Sequence, residues 1–157
     1  MNITNQELLE ISLKIERDGK KFYSELAEKI NDKQVSEFFQ LMAREEALHE
    51  NQFKHMIESK SIDRYGWEVD SALRKFIDKE CKTDVFPLTK EILDQIQVAG
   101  RINKALELAM DAERIVGEFF RLLHNSCEDI EIKTLLTILE KAEREHLERV
   151  KSFKSKF

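Results

Sequence analysis

The amino-acid sequence predicts an all-α fold: an antiparallel bundle of four long helices, built as two helical hairpins joined by a long crossover. Three observations carry that expectation. Charged residues make up 36% of the chain and hydrophobic ones 41%, with one proline and four glycines. This mixture suits long amphipathic helices and leaves an all-β fold short of turn residues. Apolar residues recur at steps of three and four over four separate stretches. The stretches also pair off, because Glu16 and Glu113, Glu46 and Glu143, and His49 and His146 each stand 97 residues apart (113 − 16). Phe22 falls on Phe119 and Leu26 on Leu123 with the same shift, so one hairpin is used twice. At 157 residues the chain is read as one domain, 1–157, long enough to bury a real core.

Thr4 with Glu7 reads as a capping box opening a first helix that runs to about Ile30. Its inner face is expected to be Leu9, Leu13, Glu16, Gly19, Tyr23, Leu26 and Ile30. Asn31-Asp32 makes the turn, Asp32 caps the second helix, and that helix continues to about Ser59. So short a loop makes the pair an antiparallel hairpin. From about Lys60 to Thr89 the pattern changes. Arg64-Tyr65-Gly66-Trp67 and Phe86-Pro87-Leu88 interrupt it, and Asp70 to Glu80 reads as a short helix between them. This segment is the crossover, with Trp67 packing it onto the bundle. Thr89 to Gln97 reads as another short helix ending near Gly100. The third long helix is expected from about Ile102 to His124, with Leu106, Ala109, Glu113, Val116, Phe120 and Leu123 facing inward. Glu128 and Asp129 suit the positive start of a fourth, which runs to about Lys154.

Several function classes are set aside by composition. Net charge is −5, with basic and acidic residues interspersed, so the basic stripe of a nucleic-acid binder is missing. No apolar run approaches the roughly 20 residues of a membrane span. The N-terminus lacks the basic and apolar segments of a signal peptide, so a cytoplasmic protein is expected. Cys81 and Cys127 form no Cys-x-x-Cys pair, which sets aside a zinc ribbon or rubredoxin-type iron site.

The chemistry concentrates in Glu46-Ala47-Leu48-His49. Residues three apart on a helix share a face, so Glu46 and His49 present a carboxylate and an imidazole side by side. That face also carries Phe39, Met42 and Phe53, which places a charge inside an apolar stripe, where it needs compensation. Glu143 and His146 repeat the arrangement among Leu136, Leu139 and Val150. Glu16 and Glu113 lie on the inner faces of the other two helices. Four anions in one core repel strongly, whereas two divalent cations cancel their charge. Carboxylate with imidazole suits iron or manganese and leaves open positions for an oxidant. One Glu from each of two helices plus Glu-x-x-His from each of the other two is the ligand pattern of di-iron and di-manganese carboxylate bundles. His55 and His124 lack that pattern and read as surface histidines.

On these residues the chain resembles the ferritin-like superfamily, and more closely its rubrerythrin-like members. The resemblance runs through Ile15 to Tyr23, Glu46-x-x-His49, Ala112-Glu113 to Phe119-Phe120, and Glu143-x-x-His146. It implies that Glu46 and Glu143 bridge two metals, that Glu16 with His49 completes one site, and that Glu113 with His146 completes the other. It further implies that Tyr23 donates a hydrogen bond to a ligating carboxylate across the bundle. Two iron ions are the expected cofactor, with manganese or zinc as substitutes. The chain departs from rubrerythrins in two ways. Val116 stands where they carry a further ligating Glu, and there is no four-cysteine rubredoxin domain. The first departure resembles a ferritin-type ferroxidase centre.

The function implied is di-iron oxidoreductase chemistry of the oxidative-stress kind, reducing hydrogen peroxide or dioxygen. Electrons would come from an external donor such as a rubredoxin-type protein, and a homodimer is expected by the resemblance. The alternatives are a ferroxidase that oxidises Fe(II), a non-catalytic iron-binding module, and a helical interaction protein that keeps the site for stability.

Overall fold

Side-chain caps set where the helices begin. In a computed structural model, which describes residues 3–58, 65–82, 84–95 and 98–156, the Thr4 hydroxyl accepts from the Glu7 amide at 3.0 Å and opens α1, Asn5–Lys29. Asp32 Oδ1 accepts from the Val35 amide at 3.0 Å at the head of α2, Lys33–Glu58. Asp70 Oδ1 takes the amides of Ala72 and Leu73 ahead of α3, Ser71–Phe76. A second short helix, α4, spans Lys90–Gln95, and α5 spans Val98–Ser126. Asp129 caps α6, Ile130–Lys154, through the Ile132 amide at 2.9 Å. Each such cap is worth about 1 kcal/mol. Because the connections between α1 and α2 and between α5 and α6 are only three residues long (30–32 and 127–129), each pair packs along its length as a hairpin.

The two hairpins bury matching positions. Phe22 and Phe119, Leu26 and Leu123, Phe39 and Leu136, and Phe53 and Val150 are all in the core. Two expectations shift in detail. Near its start α1 buries Leu8, Ser12 and Ile15, while Leu9 and Leu13 lie half-buried at the edge. The crossover covers this end of α1. The Ile3 amide bonds to the Glu68 carbonyl, and Arg74 bonds to Glu7 at 2.9 Å, so the buried stripe turns toward Leu8. Gly100 does not end a helix but lies in the first turn of α5, since a glycine weakens a packed helix by about 1 kcal/mol without stopping it. Residues 59–64 and 96–97, which include the expected start of the crossover and the end of its second short helix, lie outside the described residues.

The crossover is held by aromatic side chains. Gly66 turns the chain at φ +107°, where an L side chain is strained. Tyr65 and Trp67 then stack at 4.7 Å, fully buried. Trp67 Nε1 donates to Asn5 Oδ1 at 3.0 Å, which fastens the crossover to α1 as expected. Beyond α3 a π-helical turn, Ile77–Cys81, carries the chain toward Phe86. The Phe86 ring packs against Phe22 and Tyr23, with centroids 5.6 and 5.7 Å away. It lies over Gly19, where a Cβ would meet the ring at 2.9 Å. Cys81 and Cys127 are free and buried. Among the described residues no helix is long and apolar enough to cross a membrane.

Candidate metal centre

All six expected ligands project into the middle of the bundle and are buried, none more than 5% exposed. Glu16 comes from α1, Glu46 and His49 from α2, Glu113 from α5, and Glu143 and His146 from α6. The three- and four-residue periodicity of each helix sets them inward, within one or two turns of Phe39, Met42, Val116 or Leu139. Glu46, His49, Glu143 and His146 each offer one donor atom within 4.8 Å of the others, a grouping fit to hold a metal ion. The two imidazole rings stack with centroids 5.0 Å apart. His146 Nδ1 lies 3.1 Å from Glu46 Oε1, 3.6 Å from Glu143 Oε2 and 3.7 Å from Glu113 Oε1. Glu16 is tied to the same group electrostatically through Glu46, Glu143 and Glu113. His55 and His124 stand apart from this grouping.

Hydrogen bonding within the cluster is incomplete. Glu16 Oε1 and Oε2, Glu46 Oε2, Glu113 Oε2, both Glu143 oxygens and His49 Nδ1 are buried without a hydrogen-bond partner. His49 Nδ1 is 2.7 Å from Glu143 Oε1, but the contact is not directed as a hydrogen bond. Each unsatisfied buried group costs about 1–3 kcal/mol, so a core that gathers this many is built around something else. Cations meet the need, since hard oxygen donors with imidazole nitrogen are a transition-metal ligand set.

Without cations, protons take up part of the charge. Burial raises the Glu16 and Glu113 carboxyls well above the usual range, helped by the neighbouring Glu46 and Glu143 carboxylates. Burial works against a charge on His146 and His49, yet the surrounding carboxylates outweigh it and raise both. Glu143 is the counterpart. Burial pushes it up, but His146 and His49 prevail and hold it as a carboxylate.

Two supporting contacts complete the site. Tyr23 Oη donates to Glu113 Oε1 at 2.7 Å from the opposite hairpin, and burial together with Glu113 keeps that phenol protonated. The tyrosine packs against Phe39 and Phe86. The second contact escapes sequence reasoning. Glu45 hydrogen-bonds His146 Nε2, and Arg149 holds the same carboxylate at 2.6 Å. With Nε2 engaged, Nδ1 of His146 faces the cluster, the arrangement in which a carboxylate fixes the tautomer and ring of a metal-ligating histidine. No repeat announces Glu45, because the position 97 residues on is Ala142.

Comparisons with known proteins agree with this geometry. A family model described as Rubrerythrin matches residues 7–154. A solved structure described as a ferritin-like diiron-carboxylate protein from Thermotoga maritima is similar over 99% of this chain and 97% of that one, with a TM-score of 0.77 and 21% identity. At that identity the likeness shows the fold. No curated protein matches the chain.

Proposed function

The chain belongs to the rubrerythrin family, and on that premise we propose that its central cluster holds two iron ions and reduces hydrogen peroxide or dioxygen. The observation that carries this reading is the set of buried oxygens and nitrogen without hydrogen-bond partners on Glu16, Glu46, His49, Glu113 and Glu143. In the proposed arrangement Glu46 and Glu143 would be shared between the two ions, Glu16 with His49 would complete one site, and Glu113 with His146 would complete the other. Bound as ferrous iron, the pair would supply the two electrons of the reduction, one from each ion.

The chain's own residues position and protect that chemistry. Tyr23 fixes the Glu113 carboxylate through its hydroxyl and keeps a proton at Oη beside the cluster. Glu45 and Arg149 hold His146 with Nδ1 turned inward. Phe39, Met42, Phe53, Val116 and Phe120, all 1% exposed or less, exclude water from around the carboxylates. The only cysteines, Cys81 and Cys127, are too few for a four-cysteine iron site. In this reading an external donor would return the electrons, and a rubredoxin-type protein is suited to that.

A second reading, oxidation of Fe(II) as substrate, is favoured by Val116. Fully buried on α5 beside Glu113, it adds no seventh ligand where rubrerythrins carry a carboxylate. Anaerobic loading with Fe(II), then rapid mixing with peroxide and separately with oxygen, distinguishes the two. Two irons per chain oxidised much faster by peroxide support the peroxide reductase. Comparable or faster oxidation by oxygen, with repeated turnover of added Fe(II), supports the ferroxidase. Failure to bind two ions removes both.

A further inference from the structure

The two hairpins repeat one another, yet the clefts described on them differ in whether they border the ligands. Between α5 and α6 a cleft of about 210 Å³ runs from the surface to Glu113 and Glu143. Its walls include Gly117, Glu140, Arg144 and Leu147. Both residues border the cleft while remaining 1% exposed or less, and both carry oxygens without hydrogen-bond partners.

Gly117 is the informative residue. It lies in the interior of α5, where glycine costs helix stability relative to alanine. Neither usual reason for a glycine applies there. Among the described glycines only Gly66 has a positive φ, and a Cβ added at Gly117 would meet nothing within 4 Å. What a side chain would remove is the open space itself.

The matching groove on the first hairpin does not border the ligands. The residue 97 positions before Gly117 is Lys20, and a groove of about 520 Å³ between α1 and α2 is lined by Lys20, Ser24, Ala43 and Ala47 without reaching Glu16 or Glu46. One turn along, Arg17 Nε bonds to Glu50 Oε1 at 2.9 Å and ties α1 to α2. The counterparts of that pair are Arg114 and Leu147, which form no such bridge; Arg114 turns to Asp111 on its own helix.

We propose that the α5–α6 cleft is the passage by which divalent cations enter and leave the cluster, held open by the missing side chain at Gly117. The inference rests on the reading of the cluster as a dimetal site. Glu140 stands one turn before Glu143 at the wall of the cleft, with its side chain 13% exposed, 3.8 Å from Arg144 and in the field of Arg121. It gives an entering cation a carboxylate on the way to the ligands.

The test uses Co(II), whose visible absorption reports ligation without reference to activity. Stoichiometry at equilibrium and the rates of uptake and of removal by a chelator are measured for the wild type, Gly117→Leu and Lys20→Gly. The expected result is two Co(II) per chain in all three, with uptake and removal at least tenfold slower in Gly117→Leu and unchanged in Lys20→Gly. Gly117→Ala, which only narrows the cleft, should give an intermediate rate, and it serves where the larger side chain disturbs folding. Wild-type rates in both Gly117 variants overturn the passage while leaving the dimetal site standing. Faster exchange in Lys20→Gly with no slowing in the Gly117 variants places entry on the other hairpin and also overturns it. A wild type that fails to bind two Co(II) overturns the dimetal site itself.

Discussion

Replacing Gly19 with alanine should change sign depending on what occupies position 86. A Cβ at Gly19 would lie 2.9, 3.1 and 3.3 Å from three atoms of the Phe86 ring, against an ordinary carbon–carbon contact of about 3.5–4.0 Å. The ring cannot simply move away, because Phe22 and Tyr23 flank it and it is 2% exposed. Overpacking of this kind costs about 1–3 kcal/mol, while alanine in a helix interior gains about 0.8–1 kcal/mol over glycine. Gly19→Ala alone should therefore be neutral to destabilising by about 2 kcal/mol, a fall in Tm of up to about 8 °C for a chain of this size. Phe86→Ala alone should cost about 3–5 kcal/mol. In that background the obstacle is gone, and Gly19→Ala should raise Tm by about 2–4 °C. Thermal and urea melts of the metal-free wild type, the two single variants and the double variant close the cycle. If Gly19→Ala stabilises the wild type as much as it stabilises Phe86→Ala, the ring does not dictate glycine here and the reasoning is wrong.

Other expectations concern the cluster. Tyr23→Phe leaves Glu113 Oε1 without its donor and should weaken one of two bound metals about 10–100-fold, read by competitive titration against a chelator; equal weakening of both would contradict the assignment. Glu45→Gln should loosen the metal held by His146 by a similar factor. It should also alter stability with a defined pH dependence. Mainly through the His146 hydrogen bond, and then Arg149, the Glu45 carboxyl is lowered from 4.5 to about 2. Its contribution is thus present above pH 4.5 and lost as pH falls toward 2, so the gap in urea stability between wild type and variant should close over that window. Because Glu16, Glu113, His49 and His146 are all raised toward their protonated forms, loading two metals near neutral pH should release up to about four protons per chain. Calorimetry in buffers of different ionisation enthalpy counts them, and release of fewer than one would mean the cluster is not protonated as described. Glu46→Ala and Glu143→Ala should each lose both metals; loss of one alone would refute bridging.

The four long helices were legible because each carries its own period and three of them begin at a cap. Thr4, Asp32 and Asp129 announce three helix starts within a few residues of where they occur. The six inward carboxylates and imidazoles were legible for a related reason. Charges that interrupt an apolar stripe stand out, and a shift of 97 residues repeats them. What surrounds the cluster was not legible. Glu45 is one of two adjacent glutamates on α2, and only the way α2 packs on α6 brings its carboxylate to His146 and Arg149. Phe86 sits in a segment without periodicity, so nothing local shows that it fills the space over Gly19. The α1 stripe was read one residue off near its start for a similar reason, since the crossover that bonds to Ile3, Asn5 and Glu7 there is distant in sequence.

Each hairpin contributes half of the ligand set, and this bears on the order in which the molecule assembles. Contacts within a hairpin join neighbours in sequence, so α1 with α2 and α5 with α6 can form quickly and independently. Contacts between hairpins close a loop through the whole crossover and come last, and it is there that the carboxylates meet. Metal acts by mass action on that docking step alone. On the proposed reading, iron supply would govern side-chain packing more than helix content. A starved population would keep its far-ultraviolet circular dichroism while losing the near-ultraviolet signal of Trp67 and the tyrosines.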